Sequence, residues 1–245
     1  MISPSQIVDN LARVQEQIAA ACARAGRDPA SVKLIAVSKT HPVEPILVAL
    51  EAGVQHLGEN RVEEAESKIP AVDARAAHRA TWHMIGHLQS RKAKDAVPLF
   101  PVIHSVDTVK LAGKLSRAAV EAGRTVDIFL EVNVSGEASK AGFNAHDWQT
   151  NPARLEQLQA DFLTIDALPG LRLRGLMTMA PIVERMEDAR SVFASLAALR
   201  SALVESTGIP LPDLSMGMTD DYPVAVEEGA TWVRVGRAIF GERQV

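Results

Sequence analysis

The chain has 245 residues, close to the roughly 250 of one closed α/β barrel, which leaves little room for a second full-sized domain. A composition of 47% hydrophobic and 23% charged residues is that of an ordinary soluble globular protein and excludes disordered and fibrous classes. The formal net charge is −4 and the 26 basic residues are scattered, without the electrostatic footprint of a nucleic-acid binder.

Met1-Ile2-Ser3-Pro4-Ser5-Gln6 lacks a basic region followed by an apolar one, and no apolar run in the chain reaches about 18 residues. Neither an export signal nor a membrane span is expected. Ser3-Pro4-Ser5-Gln6 instead offers an N-cap, a first-turn proline and a capping-box glutamine. Val8, Leu11, Val14, Ile18 and Cys22 then recur at helical spacing until Gly26, predicting a leading helix within residues 1–26, packed on whatever follows. Cys22 is the only cysteine, so an intramolecular disulfide is impossible and a packed core thiol is expected, consistent with a reducing cytoplasm.

After this helix, short β-rich runs alternate with helical stretches. Strands are predicted at 32–39, 55–59, 82–88, 102–106, 126–134, 171–179, 213–217 and 231–236. Amphipathic helices are predicted between them, among others at 43–52, 108–122 and 184–206, several closed by glycine. Strict alternation implies a parallel sheet. An open doubly wound sheet is the alternative, but the glycine-rich dinucleotide fingerprint after strand one is missing and the length suits closure. The expected fold is therefore a single (β/α)8 barrel over residues 1–245, with an extra N-terminal helix. Residues 143–152 break the periodicity and read as a longer loop.

In such a barrel, polar residues at the C-terminal ends of strands face the active-site mouth. Strand one ends Ala36-Val37-Ser38-Lys39-Thr40, placing Lys39 in the mouth before a proline-opened helix. A partly desolvated amine there has a lowered pKa and attacks aldehydes at neutral pH; taken alone, a strand-end lysine more often snorkels to solvent. Strands seven and eight end Ser215-Met216-Gly217-Met218-Thr219 and Arg234-Val235-Gly236-Arg237. These are the loops where barrels bind phosphate, with hydroxyls, glycine N–H groups and a helix start near Asp220-Asp221 as a nest for a dianion. Two ordinary glycine turns explain them equally well. After strand two, Asn60 could bond or cover a planar ligand, while Glu59 reads as half of a structural ion pair. His83 and His87 share a predicted strand face, but no acidic or thiol ligand accompanies them and a metal is not expected.

Together, Val37-Ser38-Lys39-Thr40, Leu57-Gly58-Glu59-Asn60-Arg61, His83-Met84-Ile85-Gly86-His87-Leu88-Gln89, Ser215-Met216-Gly217-Met218 and Arg234-Val235-Gly236 resemble the pyridoxal phosphate homeostasis protein family, in one order over nearly the whole length. The resemblance implies a barrel similar to the N-terminal domain of alanine racemase, carrying pyridoxal 5'-phosphate as a Schiff base on Lys39. It further implies Asn60 and His83 as cofactor-site residues, Ser215 and Gly236 at the phosphate, and Arg234 beside the pyridine nitrogen, where a cation disfavours ring protonation and weakens the electron sink. The sequence departs from the family pattern at Arg91, where asparagine is common, and at Arg237, where a small residue is frequent. The implied function is a non-catalytic, cytoplasmic, monomeric carrier that buffers the cofactor or delivers it to apo-enzymes that depend on it, influencing vitamin B6 and amino-acid metabolism. The competing reading is an amino-acid racemase. Alanine racemases add a C-terminal β domain, not expected here, and a tyrosine opposite the lysine, whereas the only tyrosine, Tyr222, falls at a helix start where packing is the simpler role.

Overall fold

A computed structural model describes residues 2–137 and 140–242. Helix α1 (Pro4–Arg24) begins with the expected capping box, in which Ser3 and Gln6 satisfy each other's backbone N–H groups. It buries Ile7, Leu11, Val14, Ile18 and Cys22, a 4-3-4-4 spacing that holds one face. Val8, predicted on that face, is one residue out of register and lies 47% exposed, and Ile7 takes its place. The buried stripe packs against α2 (Val43–Glu51), α8 (Tyr222–Glu227) and α9 (Arg237–Phe240), so the leading helix covers the seam where the chain's two ends meet.

The strands are β1 (Lys33–Val37), β2 (His56–Glu59), β3 (Thr81–Met84), β4 (Val102–Val106), β5 (Val126–Asn133), β6 (Phe143–Asn144), β7 (Leu171–Met177), β8 (Asp213–Met218) and β9 (Trp232–Val235). Apart from β6, they pair in parallel in the order β4-β3-β2-β1-β9-β8-β7-β5, and β4 also pairs with β5, which closes the sheet. All eight predicted strands are present in this (β/α)8 barrel. The remaining helices are α3 (Val62–Asp73), α4 (Ala93–Leu99), α5 (Val109–Glu121), α6 (Pro152–Asp166) and α7 (Arg190–Thr207). Between helices and sheet lies the main core; α5, capped where Thr108 Oγ1 accepts from Leu111 N–H at 3.2 Å, contributes Leu111 and Leu115. Each such side chain stabilises the fold by about 1.5–3 kcal/mol. A smaller cluster of Ile35, Val102, Phe129, Met177 and Trp232 fills the barrel interior.

Several boundaries differ from those expected from the sequence, β1 ending at Val37 and β7 at Met177 rather than at 39 and 179 among them. Strand β3 stops at Met84 rather than 88; two residues on, Gly86 runs so close to the loop after β2 that a Cβ there would lie 2.5 Å from the Asn60 carbonyl oxygen. Helix α7 starts at Arg190 rather than 184, after a short 3-10 turn at Met186–Ala189. Within 143–152, Phe143 and Asn144 pair with Val132 and Asn133, a two-residue strand too short to leave a periodic signal. Among the described residues no helix is long and apolar enough to cross a membrane.

Candidate functional site

Lys39 follows β1 in a tight turn closed by His41 N–H to the Ser38 carbonyl at 3.1 Å. The next residue, Thr40, has φ 66°, a left-handed conformation that is strained for a β-branched side chain and persists only when its surroundings over-determine it. They do so here. Thr40 N–H donates to Glu64 at 2.6 Å, and Lys68 Nζ donates to the Ser38 carbonyl at 2.9 Å, to Glu59 at 2.9 Å and to Glu64. Ser38 Oγ donates to the same Glu59 oxygen at 2.6 Å. Glu59 is thus half of a buried ion pair, as expected, and its partner is Lys68. Burial pushes the Glu59 carboxyl up, against the lowering influence of Lys68 and Ser38.

Lys39 lines a cavity of about 120 Å³ that opens into solvent. Asn60, Arg234 and Gly236 line it as well, so four of the six residues assigned to the cofactor come together at the mouth. Ile85, Met179 and Met218 give it apolar walls. Among the described lining residues there are three cations, Lys39, Arg234 and Arg237, and no carboxylate. Arg237 also pairs with Asp220 and, at 3.8 Å, with Glu242.

Arg234 forms the floor. Its Nη2 donates to the Thr178 carbonyl at 2.9 Å, and its Nη1 donates at 2.8 Å to both the carbonyl and the hydroxyl of Ser215. Desolvation pulls the guanidinium down to about 10, with Asp221 and Glu131 opposing the fall.

His83 and Ser215 are not on the cavity. Both are fully buried below it, in the barrel interior, where His83 Nδ1 meets His104 Nε2 at 2.9 Å and His104 Nδ1 meets Ser215 Oγ at 2.8 Å. The hydroxyl facing the phosphate loops is that of Thr219, which Gly236 N–H approaches at 3.4 Å. His87 shares no strand face with His83, because it lies beyond the end of β3, 60% exposed and 3.2 Å from Asp107. Among the described residues no cluster of His, Cys, Asp or Glu could hold a metal ion. Thr219 falls within the phosphate loop expected from the sequence, whereas Lys68, His56 and His104 were not singled out there; of these only His104 left a signal, alternating with inward-facing Val102 along β4.

A protein of Aquifex aeolicus named pyridoxal phosphate homeostasis protein is 40% identical to the chain over 236 residues, covering 96% of this chain and 98% of the relative. The chain belongs to the pyridoxal phosphate homeostasis protein family. A Pseudomonas aeruginosa member of that family is 41% identical over 239 residues, 98% of this chain and 96% of its own length. The family model described as alanine racemase, N-terminal domain, matches residues 9–244. Among solved structures, PipY of Synechococcus elongatus PCC7942, determined with PLP bound, is similar at a TM-score of 0.81 and 38% identity, covering 96% of this chain and all of PipY.

Proposed function

We propose that the chain binds pyridoxal 5'-phosphate at the barrel mouth through Lys39, and buffers or delivers it without turning over amino acids. The observation that carries this reading is the lining of the mouth: an amine at a rigid strand end, two further cations, apolar walls and no carboxylate among the described lining residues. This donor set fits a planar, anionic aldehyde. When bound, such a group supplies a carbonyl that condenses with primary amines and an electron-poor ring. Lys39 presents the amine, held by the strained turn at Thr40 and the Lys68 network. Asn60 lines the side nearest β2, and Thr219, beside Gly236 at the phosphate loops, offers the phosphate a hydroxyl, since the Ser215 hydroxyl is already committed below.

The carrier reading is supported by two features of this chain. Arg234, placed against the ring nitrogen as the family resemblance implies, disfavours a positive charge there and so weakens carbanion stabilisation. The only tyrosine of the chain, Tyr222, is 2% exposed and donates its hydroxyl to Gln17 of α1, away from the cavity; burial pushes its phenol up to about 12. No phenol is therefore set opposite Lys39 to exchange a second proton. A monomeric, cytoplasmic working state, with delivery to dependent apo-enzymes, completes the proposal. Support for the monomer is that the exposed large apolar side chains Val8, Val120, Leu163 and Val204 sit on four separate helices, leaving Ile182 and Met186 before α7 as the two that share a segment.

The test is incubation of the ligand-loaded protein with L- and D-alanine in deuterated water. Transfer of the ligand to an apo-enzyme without α-deuteration is expected, and rapid α-deuteration with racemisation would overturn the carrier reading.

A further inference from the structure

Below the cavity the barrel axis is polar from one face to the other. His56 Nδ1 lies 3.1 Å from His83 Nε2, His83 Nδ1 lies 2.9 Å from His104 Nε2, and His104 Nδ1 lies 2.8 Å from Ser215 Oγ. Arg234 Nη1 donates to that hydroxyl at 2.8 Å. Five strands, β2, β3, β4, β8 and β9, each give one residue to this chain. It starts at half-exposed His56, at the N-terminal end of β2, and finishes at the guanidinium lining the cavity.

The direction of the hydrogen bonds follows from donor capacity and burial together. A guanidinium only donates, so Ser215 Oγ accepts from Arg234. The hydroxyl hydrogen then goes to His104 Nδ1, which forces the proton of His104 onto Nε2. That N–H donates to His83 Nδ1, the proton of His83 sits on Nε2 and donates to His56 Nδ1, and His56 keeps its own Nε2–H for solvent. Every polar hydrogen in the chain is satisfied. The reverse orientation points both Arg234 and His104 at Ser215 Oγ and leaves the hydroxyl hydrogen without a partner in the chain, at a residue with 0% exposure, where an unmade bond is costly.

We propose that His56, His83, His104 and Ser215 form a hydrogen-bonded wire through the barrel that positions Arg234 at the cavity floor and couples it to the imidazole on the opposite face. His83 and His104 act as positioning residues, since neither touches the cavity. A proton on His56 Nδ1 would turn it from acceptor to donor, which reverses both buried tautomers and strands the Ser215 hydrogen. The wire therefore opposes protonation of His56. The other groups facing the wire act in the same sense: desolvation pulls His56 down, and so does the charge of Lys33 of β1, which lies over the ring of Trp232 of β9 packed against His56. His104 stacks on Phe129 of β5 with centroids 4.2 Å apart, and desolvation, His83 and Arg234, which Asp221 and Glu131 face in turn, lower it.

The inference is independent of the ligand reading, because it is tested on the full-length protein with no ligand added. Long-range imidazole 15N–1H correlation spectra distinguish the two neutral tautomers. At neutral pH, His83 and His104 are expected to carry their protons on Nε2; a proton on Nδ1 of either overturns the wire. Arg234→Met removes the donor that fixes the direction, so both tautomers should mix and the His56 pKa should rise by about one unit, the scale of one hydrogen bond. In a His83→Phe background, which keeps an aromatic ring but cuts the wire, Arg234→Met should leave the His56 titration unmoved. An equal shift in both backgrounds would mean a through-space field and would refute the coupling.

Discussion

Lys68 is the residue whose removal most directly tests how the mouth is held. Its Nζ is shared among Glu59, Glu64 and the Ser38 carbonyl, and Glu59 is 0% exposed with its second oxygen already without a partner. Lys68→Met leaves a buried carboxylate held only by the Ser38 hydroxyl, and breaking a buried pair in this way costs about 3–5 kcal/mol. For a domain of this size that corresponds to a fall in Tm of roughly 6–20 °C. The deficit should depend on pH with a definite sign. The folded pKa of Glu59 already lies above its ordinary value and rises further without Lys68, so the folded variant is penalised only where Glu59 ionises. Its stability is therefore recovered as pH falls towards about 4.5 and lost as pH rises through the raised folded pKa. Urea unfolding followed by circular dichroism at pH 8 and pH 5 measures both effects. Adding Glu59→Gln to Lys68→Met should restore at least half of the loss at pH 8. A Lys68→Met deficit below about 1 kcal/mol, or one that is the same at both pH values, would refute the reasoning.

Other consequences concern the interior, the sheet and the phosphate loop. His83 and His104 are held well below the ordinary imidazole value by burial, so their contribution to stability is present above about pH 6.5 and is lost as pH falls through their folded values; a His83→Phe/His104→Phe variant should show a shallower decline between pH 6.5 and 5 in chemical denaturation. Gly175→Ala places a Cβ 1.8 Å from the Asp213 carbonyl oxygen across the β7–β8 pair, and a loss of about 3 kcal/mol or failure to fold is expected, where Gly113, with no atom within 4 Å of its Cβ position, would tolerate the change. Thr219→Val should weaken retention of pyridoxal 5'-phosphate about tenfold, the scale of one charge-assisted hydrogen bond, without affecting unphosphorylated pyridoxal in parallel equilibrium dialysis.

Much of the architecture was legible because barrel strands and helices repeat a pattern that burial enforces. Runs such as 126–134 are apolar because both faces of a parallel sheet are covered, and the capping box at Ser3 and Gln6 marks the start of α1 to the residue. Lys39, Asn60, Arg234 and Gly236 could be placed at one mouth because each stands at the end of a strand, where the fold alone decides which way a residue faces. What escaped the sequence depends on contacts between distant strands. His83 and Ser215 sit one or more turns of the pleat below the mouth, and only the barrel's closure shows that His104 bridges them across 111 residues of chain. Lys68, i+3 from Ala65 and i−4 from Val72 at the edge of the buried face of α3, is held inward by Glu59, a tertiary partner that helical periodicity cannot reveal.

The central claim is that Lys39 is the residue that holds the ligand. Loading the protein with pyridoxal 5'-phosphate, reducing with borohydride and mapping the adduct by peptide mass spectrometry tests it most directly. One pyridoxyl adduct is expected, on Lys39, and none in Lys39→Ala; an adduct on another lysine, or full retention of a reducible ligand by Lys39→Ala, would contradict the claim.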